Sequence, residues 1–333
     1  MTKDFIGRED IIKWMDDWGS NGTPFFFMVD FDAEKGVVMP LDEINPDELL
    51  YDFGGLTNET CQTETAANAV PLEWIATPEC YESYCESFDY VFAQLHAGNS
   101  FLTNLTVATP VSCNWSLRQI YQAANAPYRL WVKDRFVVFS PEIFIRVDGG
   151  CIRSFPMKGT LDARIPHAEE CLRNDPKERA EHATITDLIR NDLSKVADQV
   201  TVERYAYMDC IETHHGPLLQ MSSEISGMLT DYYRHHLGQM LFELLPAGSI
   251  TGAPKKKTVE IIRTAEHYER GFYTGVMGIF DGHKLDSAVM IRFVEQMPDG
   301  SLCYKSGGGI TFQSEAEKEY QEVIQKIYIP THD

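Results

Sequence analysis

Acidic and basic side chains repeat at helical spacing near the end of the chain. Glu315, Glu319, Glu322 and Lys326 stand at positions i, i+4, i+7 and i+11, so on a helix they form one stripe. Glu322 and Lys326 could be an exposed i,i+4 ion pair, which is the usual outcome of such spacing. The alternative is a carboxylate and an ammonium group side by side at the edge of a cleft.

A second carboxylate occurs in a separate predicted helix. Glu181 stands four residues before Ile185 and seven before Leu188, a spacing that turns it towards the buried side. An ion pair with Lys177 would explain this position without any function. Two glutamates from separate elements also suit a hard divalent cation, which binds oxygen ligands and can hold a carboxylate substrate.

Arg292 lies in a run, 284–295, that alternates like a single strand. In that register it shares a largely apolar face with Ala288, Met290 and Val294. An arginine on such a face needs an anionic partner, because an unpaired buried charge is costly. An internal pair with a nearby acidic residue, Asp286 or Glu295, or an extended side chain that reaches solvent, would also satisfy it.

Two glycine-rich stretches are candidates for contact with an anion. Gly307, Gly308 and Gly309 directly follow a predicted strand, where their amides could approach a ligand closely, although a flexible turn is the plainer explanation. The stretch G-S-I-T-G-A-P-K at 248–255 lacks the spacing of a nucleotide-binding loop. A glycine-rich turn before a helix can nevertheless hold a carboxylate. Together with the glutamates, these features indicate an anion pocket.

Lys158 is out of place for its surroundings. Runs of strand character at 135–140, 143–147 and 151–155 precede the segment F-P-M-K-G-T, in which Lys158 is followed by Gly159 and Thr160. Strands of this kind usually lead into a core, where lysine is rarely found. The local pattern alone does not explain why a lysine stands at this point.

Several helices must position these residues. One begins near Tyr81, and another extends from Asp175, the predicted N-cap, through Pro176 at the first helical position to about Arg190. A further helix begins at Pro254. The last helix is predicted to begin at Ser314, with Glu317 three residues on completing a capping box, and to end near Tyr328.

The strands of the second half are antiparallel in pattern. The run 275–280, a D-G-H turn and the run 284–295 predict a hairpin, and a P-D-G turn leads into the strand that precedes the glycines. Antiparallel strands with helices indicate an α+β fold rather than a parallel doubly wound one. A polar, acidic segment at 56–88 is predicted to contain an excursion or loop that ends where the helix begins, near Tyr81.

The bulk properties exclude several classes of protein. The chain has 333 residues, 44% of them hydrophobic, and a formal net charge of −21. That charge argues against nucleic acid and anionic membranes as partners, since both favour basic surfaces. A charged N-terminus without an apolar stretch, a longest apolar run of only 25–29, and eight scattered cysteines favour a reduced cytoplasmic protein. We expect one continuous domain over 1–333, with 1–90 a short N-terminal part of the sheet and 91–333 the catalytic core.

From about residue 96 onwards, the sequence resembles the chorismate-utilising enzymes. The matching blocks occur in the right order and include P-M-K-G-T, E-R-A-E-H, G-S-I-T-G-A-P-K, D-S-A-V-M-I-R, S-G-G-G-I and E-Y-Q-E-V-I-Q-K. The resemblance implies two antiparallel β-sheets that form a sandwich flanked by helices, around a chorismate cleft with Mg²⁺. It further implies that Glu181 and Glu322 are metal ligands, and that Glu319 assists through water.

The same resemblance assigns the substrate-binding residues. Arg292, Lys326 and the amides of the glycine run would hold the substrate carboxylates, with Thr251 and Tyr273 nearby. Family members often have histidine in an H-L-V-S block, where this chain has Q-M-S-S with Gln220. We therefore expect Gln220 to bind the substrate without acting as an acid.

The K-G-T form resembles the members that aminate chorismate to 4-amino-4-deoxychorismate, in contrast to the A-G-T of other members. In those enzymes the lysine is understood to add to C2 of chorismate, which assigns Lys158 as the nucleophile. A nucleophilic lysine must be neutral when it attacks. Glu142, in S-P-E-I-F, matches the acid/base glutamate of that subgroup.

The source of nitrogen is expected to be external. None of the eight cysteines stands in the G-x-C-x-G elbow of a glutaminase, so the resemblance implies ammonia supplied by a separate glutamine amidotransferase subunit. Two other functions stay open, namely component I of an anthranilate synthase and a non-catalytic chorismate- or metal-binding regulatory subunit. The paired glutamates and Lys158 together argue against the regulatory subunit.

Overall fold

The computed structural model describes residues 5–59, 70–213 and 216–331. Its helices are α1 (Arg8–Asn21), α2 (Tyr81–His96), α3 (Leu117–Ala123), α4 (Ala168–Asn174), α5 (Pro176–Leu193), α6 (Asp231–Arg234), α7 (Leu237–Leu244), α8 (Lys255–Ala265) and α9 (Ala316–Gln325). Short 3-10 turns occupy Leu41–Glu43 and Gly248–Ile250.

The strands are distributed along the whole described chain. They are β1 (Ile6–Gly7), β2 (Phe25–Val29), β3 (Lys35–Pro40), β4 (Leu49–Phe53), β5 (Leu56–Thr57), β6 (Trp74–Ala76), β7 (Leu102–Cys113), β8 (Tyr128–Val132), β9 (Phe136–Ser140), β10 (Ile143–Asp148), β11 (Cys151–Ser154), β12 (Met157–Asp162), β13 (Ala197–Thr213), β14 (Gly216–Leu229), β15 (Gly252–Ala253), β16 (Val276–Phe280), β17 (Leu285–Val289), β18 (Phe293–Gln296) and β19 (Leu302–Ile310).

These strands form two sheets with antiparallel pairing. The first sheet has ten strands in the order β1-β3-β2-β16-β17-β10-β11-β14-β12, with β13 also paired to β14. The second has nine strands in the order β15-β7-β19-β18-β9-β8-β4-β5, with β6 also paired to β7. The prediction of an α+β fold built on two antiparallel sheets is confirmed.

An apolar layer lies between the two sheets. Phe26 and Met277 of the first sheet belong to the same buried cluster as Tyr51, Leu130 and Val138 of the second. Burial of such large side chains from both inner faces is the main source of stability in a sandwich. Helices α1 and α7 cover the outer face of the first sheet through a second cluster, and α3 packs on the second sheet through a third.

Local signals in the sequence predicted some elements well. Helix α2 begins at Tyr81 as expected. The carboxylate of Asp175 accepts hydrogen bonds from the amides of Lys177 (2.8 Å) and Glu178 (3.0 Å), and Pro176 is the first residue of α5. This N-cap satisfies amides that have no partner within the helix. The loop predicted at 56–88 lies partly outside the described residues, because these omit 60–69.

The prediction of one strand over 284–295 was wrong. The run divides into β17, which pairs in the first sheet, and β18, which pairs in the second. Residues 290–292 carry the chain from one sheet to the other, and Arg292 adopts a left-handed conformation with φ of 55°. The simple alternation that placed Arg292 on a face with Ala288 and Met290 therefore does not hold.

Two predictions near the C-terminus were also wrong. The three glycines are not in a turn, because Gly307, Gly308 and Gly309 lie within β19 and pair with Thr106, Leu105 and Asn104 of β7. Ser314 does not cap the last helix. Its hydroxyl accepts a hydrogen bond from the amide of Thr311 (3.1 Å), and α9 begins two residues later, after Glu315.

None of the helices in the described ranges combines the length and the apolar character needed to cross a membrane.

Candidate active site

Lys158 stands in β12 beside an irregularity that determines its direction. It pairs with Met221 of β14, whereas Thr160 pairs with Gln220, so one extra residue, Gly159, bulges from the ladder. Gly159 has a φ of +79°, and a β-carbon there would lie 2.8 Å from Oε2 of Glu178. The positive φ favours glycine, whereas the flexible end of the Glu178 side chain could move away from a β-carbon. A bulge of this kind redirects neighbouring side chains, which explains the K-G pair.

The amine of Lys158 reaches across to the second sheet. A β-carbon on Gly309 would lie 2.8 Å from Nζ of Lys158. Among the described residues, Nζ has neither a hydrogen bond nor an ion pair within 4.0 Å. Since carboxylates lie nearby without contacting it, the amine remains available to a bound molecule.

Helix α5 turns one face towards Lys158. Glu178, Glu181 and His182 lie three and four residues apart and so share that face. Glu181 is only 6% exposed, as its predicted inward position required. Burial raises the pKa of its carboxyl group, and the charges of Lys158 and Lys177 oppose the shift. Its Oε1 atom is buried and has no hydrogen-bond partner among the described residues.

Helix α9 brings the other predicted carboxylates to the glycines of β19. A β-carbon on Gly308 would lie 3.4 Å from Oε1 of Glu322 and 3.7 Å from Oε2 of Glu319. Lys326 donates to Oε1 of Glu322 (2.6 Å) and to the carbonyl of Gly307 (2.9 Å). Burial opposes ionisation of Glu322, but the charge and hydrogen bond of Lys326 outweigh it and lower its pKa. Glu322 and Lys326 therefore form the i,i+4 pair that their spacing allows, and this pair lies beside the glycines of β19.

The donor chemistry of this cleft fits a hard divalent cation. Glu181, Glu319 and Glu322 provide carboxylate oxygens, the ligands that Mg²⁺ prefers, and one of these oxygens is a buried acceptor with no hydrogen bond. Lys177 contacts Glu181 and Glu319, and Lys326 pairs with Glu322. Within the described ranges, no three acidic, histidine or cysteine side chains are grouped closely enough to hold a metal ion. Binding of an ion would thus require these carboxylate side chains to move closer to one another.

Arg292 is not neutralised by either of the acidic residues that the sequence offered. Asp286 pairs with Arg146 (3.1 Å), and Glu295 pairs with Lys305 (2.6 Å). The guanidinium of Arg292 lies 5.7 Å from the ring centre of Tyr328. Burial opposes its charge, but the neighbouring Tyr304 and Tyr328 raise its pKa overall. Arg292 can therefore serve as a cation for an anionic ligand.

Glu142 lies immediately before β10, where it accepts a hydrogen bond from the hydroxyl of Ser249. Burial raises the pKa of its carboxyl group, against the opposing effects of that hydrogen bond and of Lys158, Arg292 and Lys326. Glu142 and Ser249 line a small cavity of about 20 Å³. A carboxyl group that keeps its proton at higher pH than usual is suited to act as an acid.

The remaining predicted residues are buried around these groups. Tyr273 packs edge-on against Phe293, with ring centres 5.9 Å apart. Thr251 donates to the carbonyl of Ala247 (2.8 Å), and Gln220 is buried in β14. Within the described chain, neither Thr251 nor Gln220 forms a side-chain hydrogen bond with another predicted site residue. Their roles in the site stay predictions.

A buried ion pair supports the loop that carries Ser249 and Thr251. Arg270 donates to both oxygens of Glu266 (2.8 and 2.6 Å) and to the carbonyl of Ile250 (2.9 Å). Such a bidentate pair fixes both side chains in one geometry. The loop is thereby attached to the segment that leads to Tyr273.

Sequence reasoning did not identify Glu178 or His182 as residues of the site. It named Lys177 only as a partner of Glu181 in an ordinary ion pair. His182 is fully buried, with Nε2 2.7 Å from the hydroxyl of Ser223 and Nδ1 without a partner in the described chain. Burial and the charge of Lys158 lower its pKa to about 4. The helical spacing from Glu178 to His182 was the one signal that could have identified this face.

A larger opening lies elsewhere. An open groove of about 640 Å³ is lined by residues that include Trp115, Arg118 and Trp131, and it contains none of the predicted site residues. It lies beside Val111 and Leu302, at the opposite end of the β7–β19 pair from Gly309. The chemistry-bearing residues therefore identify the candidate site better than the size of an opening does.

Comparison with known proteins finds relatives that match most of the chain. An uncharacterised PabA-like protein of Pasteurella multocida is 47% identical over 319 residues, covering 96% of this chain and 98% of that one. Aminodeoxychorismate synthase component 1 of Klebsiella aerogenes is 34% identical over 263 residues, which cover 74% of this chain and 56% of that enzyme.

Solved structures share the fold at low sequence identity. The menaquinone-specific isochorismate synthase of Escherichia coli has a TM-score of 0.72 at 16% identity, covering 97% of this chain and 82% of that one. Anthranilate synthase component I of Streptococcus pneumoniae has a TM-score of 0.67 at 18% identity, covering 92% and 79%. The family model for chorismate binding enzymes matches residues 31–332. The chain therefore belongs to the chorismate binding enzyme family.

Proposed function

We propose that the chain aminates chorismate to 4-amino-4-deoxychorismate, with ammonia from a separate glutaminase subunit and with Mg²⁺ as cofactor. The observation that carries this proposal is the position of Lys158. Its amine is directed by the bulge at Gly159 against Gly309, among the carboxylates of α5 and α9. The 34% identity to an aminodeoxychorismate synthase component 1 supports the choice of reaction.

Three groups would orient the substrate: the guanidinium of Arg292, the ammonium group of Lys326 and the backbone amides of Gly307 to Gly309. Arg292 has no acidic partner within ion-pair distance in the described chain, and Lys326 donates to Glu322 and to the carbonyl of Gly307. These positions support the proposal that both residues hold the substrate carboxylates. The absence of side chains at Gly307 to Gly309 allows the ring to approach the backbone. Glu181 and Glu322, with Glu319, would hold Mg²⁺. When bound, that ion supplies positive charge to a substrate carboxylate and to the departing hydroxyl.

Lys158 would begin the reaction as the nucleophile, because an unprotonated amine has a free electron pair. Its electron pair forms a bond to C2 of chorismate, the two ring double bonds shift by one position, and the bond from C4 to its hydroxyl breaks. Glu142 donates the proton that allows this hydroxyl to leave as water, which suits its raised pKa. Ammonia then bonds to C4, the double bonds shift back, and the bond to Lys158 breaks, so that the free lysine is regenerated. The carboxylate of Glu142 accepts the proton that the incoming nitrogen loses.

The test is turnover of chorismate by the purified chain with an ammonium salt and Mg²⁺. Products are separated chromatographically and identified by mass. We expect 4-amino-4-deoxychorismate, which keeps every carbon atom of chorismate. Formation of anthranilate with release of pyruvate would instead identify an anthranilate synthase component, and absence of turnover with retained chorismate binding would identify a regulatory subunit.

A further inference from the structure

Lys177 lies between carboxylates from two different helices. Its Nζ atom is 3.0 Å from Oε1 of Glu319, on α9, and 3.7 Å from Oε1 of Glu181, on its own helix α5. Both glutamates are buried, whereas the lysine side chain is 34% exposed. A single ammonium group thus bridges two elements that meet at the cleft.

The bridge offsets a repulsion that the fold creates. Two buried carboxylates close together disfavour each other's charge, and removing a shared cation leaves that charge uncompensated. The contact between Lys177 and Glu319 also joins the first turn of α5 to α9. Among the described residues, Lys177 is therefore the cation that contacts both carboxylates.

A divalent cation would need the same oxygen atoms. Among the described residues, Oε1 of Glu181 forms no hydrogen bond, and the ammonium group of Lys177 lies 3.7 Å from it. An ion held by Glu181, with Glu319 assisting through water, would draw on both carboxylates that the ammonium group contacts and would so compete with it. The partly exposed stem of Lys177 gives that group a path into solvent.

We propose that Lys177 is an internal counter-cation, which holds Glu181 and Glu319 together in the metal-free protein and competes with Mg²⁺ for them. This inference rests on the metal site of the proposed function. It predicts that Lys177 stabilises the metal-free protein and lowers its affinity for Mg²⁺. Lys177 would thus regulate metal binding and would not contact the substrate.

The experiment compares the full chain with its Lys177→Met variant after removal of metal with EDTA and desalting. Isothermal titration with MgCl₂ should give a dissociation constant lower by about fivefold or more in the variant, because no ammonium group has to be displaced. Thermal unfolding in EDTA should show a lower Tm for the variant. Saturating MgCl₂ should raise the variant's Tm by more than it raises that of the wild type.

Two further variants separate competition from a general effect of charge. Arg179→Met removes a positive charge from the same helix at an exposed position, and its Mg²⁺ affinity should change by less than about twofold. Lys177→Arg keeps the charge and should bind Mg²⁺ nearly as weakly as the wild type.

Equal affinity in Lys177→Met and wild type would overturn the inference, as would weaker binding in the variant or an equal gain in Arg179→Met. Absence of Mg²⁺ binding in every variant would also overturn it. These titrations contain no chorismate. A failure here is therefore distinct from a failure of amination, which is judged by the product formed.

Discussion

Lys158 and Gly309 belong to different sheets, yet the lysine amine and the glycine backbone are so close that a β-carbon would lie 2.8 Å from Nζ. The nearest other obstacle to that β-carbon is Cδ1 of Leu102, at 3.1 Å. A β-carbon on Gly309 would therefore meet the ends of side chains and not the backbone. Because side chains can move, we expect a substitution at Gly309 to displace Lys158 without unfolding the protein.

We expect Gly309→Ala to displace Lys158 while the protein stays folded. A flexible lysine can move aside at small cost, so Tm should fall by only a few degrees, whereas kcat should fall on the order of 10²-fold, because misplacement by about 1 Å has such effects. Gly7→Ala is the control. A β-carbon there would meet nothing within 4 Å, so this variant should retain more activity than Gly309→Ala. Equal kcat values for the two variants would contradict this account.

Lys158→Ala should lose at least about 10³-fold in kcat, because it removes the proposed nucleophile. Chorismate affinity, measured by titration, should change little, since Arg292 and Lys326 remain. Wild-type protein incubated with chorismate without ammonia should show a covalent adduct by intact mass, and the variant should not. Lys133→Ala, at an exposed position, controls for the loss of a charge. Amination by Lys158→Ala at near the wild-type rate would exclude covalent catalysis.

Glu181→Gln and Glu322→Gln should each weaken Mg²⁺ binding by more than the roughly 10- to 100-fold typical of residues that only support a metal ligand. Activity should be lost, while Tm in EDTA stays close to that of the wild type. The control is Glu315→Gln, since Glu315 is exposed and pairs only with Lys318 in the described chain. Undiminished wild-type activity in excess EDTA would refute the assignment of the metal.

Glu142→Gln should stabilise the protein most at neutral pH. Burial raises the folded-state pKa of Glu142, so the folded state holds its proton more tightly than the unfolded state does. Stability therefore falls as pH rises from the unfolded pKa, near 4.5, through the folded pKa, and the glutamine variant lacks this loss. The difference in Tm between variant and wild type should be larger at pH 7.5 than at pH 4.5. A difference independent of pH would show that the carboxyl group is ionised in the folded state.

The isolated chain should use ammonium salts but not glutamine. No cysteine stands in a glutaminase elbow, so we expect that the chain does not release ammonia from glutamine. Turnover with ammonium should rise with pH towards the alkaline range, because neutral ammonia is the attacking species. Glutamine-dependent product formation by the purified chain alone would disprove the proposed need for a separate subunit.

Local signals account for the parts of the fold that the sequence predicted. Asp175 followed by Pro176 places a helix start without reference to the rest of the chain, and the inward lean of Glu181 follows from the same helix. The strand break at 290–292 had no such signal, because the run 284–295 alternates without a glycine or proline. It depends on distant hydrogen bonds, from the amide of Thr274 to the carbonyl of Met290 and from the amide of Met290 to Gly275.

In the candidate site, too, local sequence signals predicted some features, whereas others depend on contacts between distant parts of the chain. Lys158 was recognisable as an anomaly in a strand, but its nearness to Gly309 depends on how two sheets pack. The bridge from Lys177 to Glu319 joins residues 142 positions apart, so spacing along the chain could not reveal it. The i,i+4 relation to Glu181 was visible, and by itself it favoured only an ordinary ion pair.

The chain crosses from one sheet to the other at Met290–Arg292, so binding of a ligand by Arg292 would depend on the folding of both sheets. Arg292 obtains its position from β17 on one side and β18 on the other, so a partly folded chain with only one sheet formed would lack the proposed anion site. Ligand would then bind only when both sheets have formed and packed together, and its binding energy would be added to the cooperativity of folding. Chorismate would thus protect the whole sandwich from unfolding, including strands that never touch it.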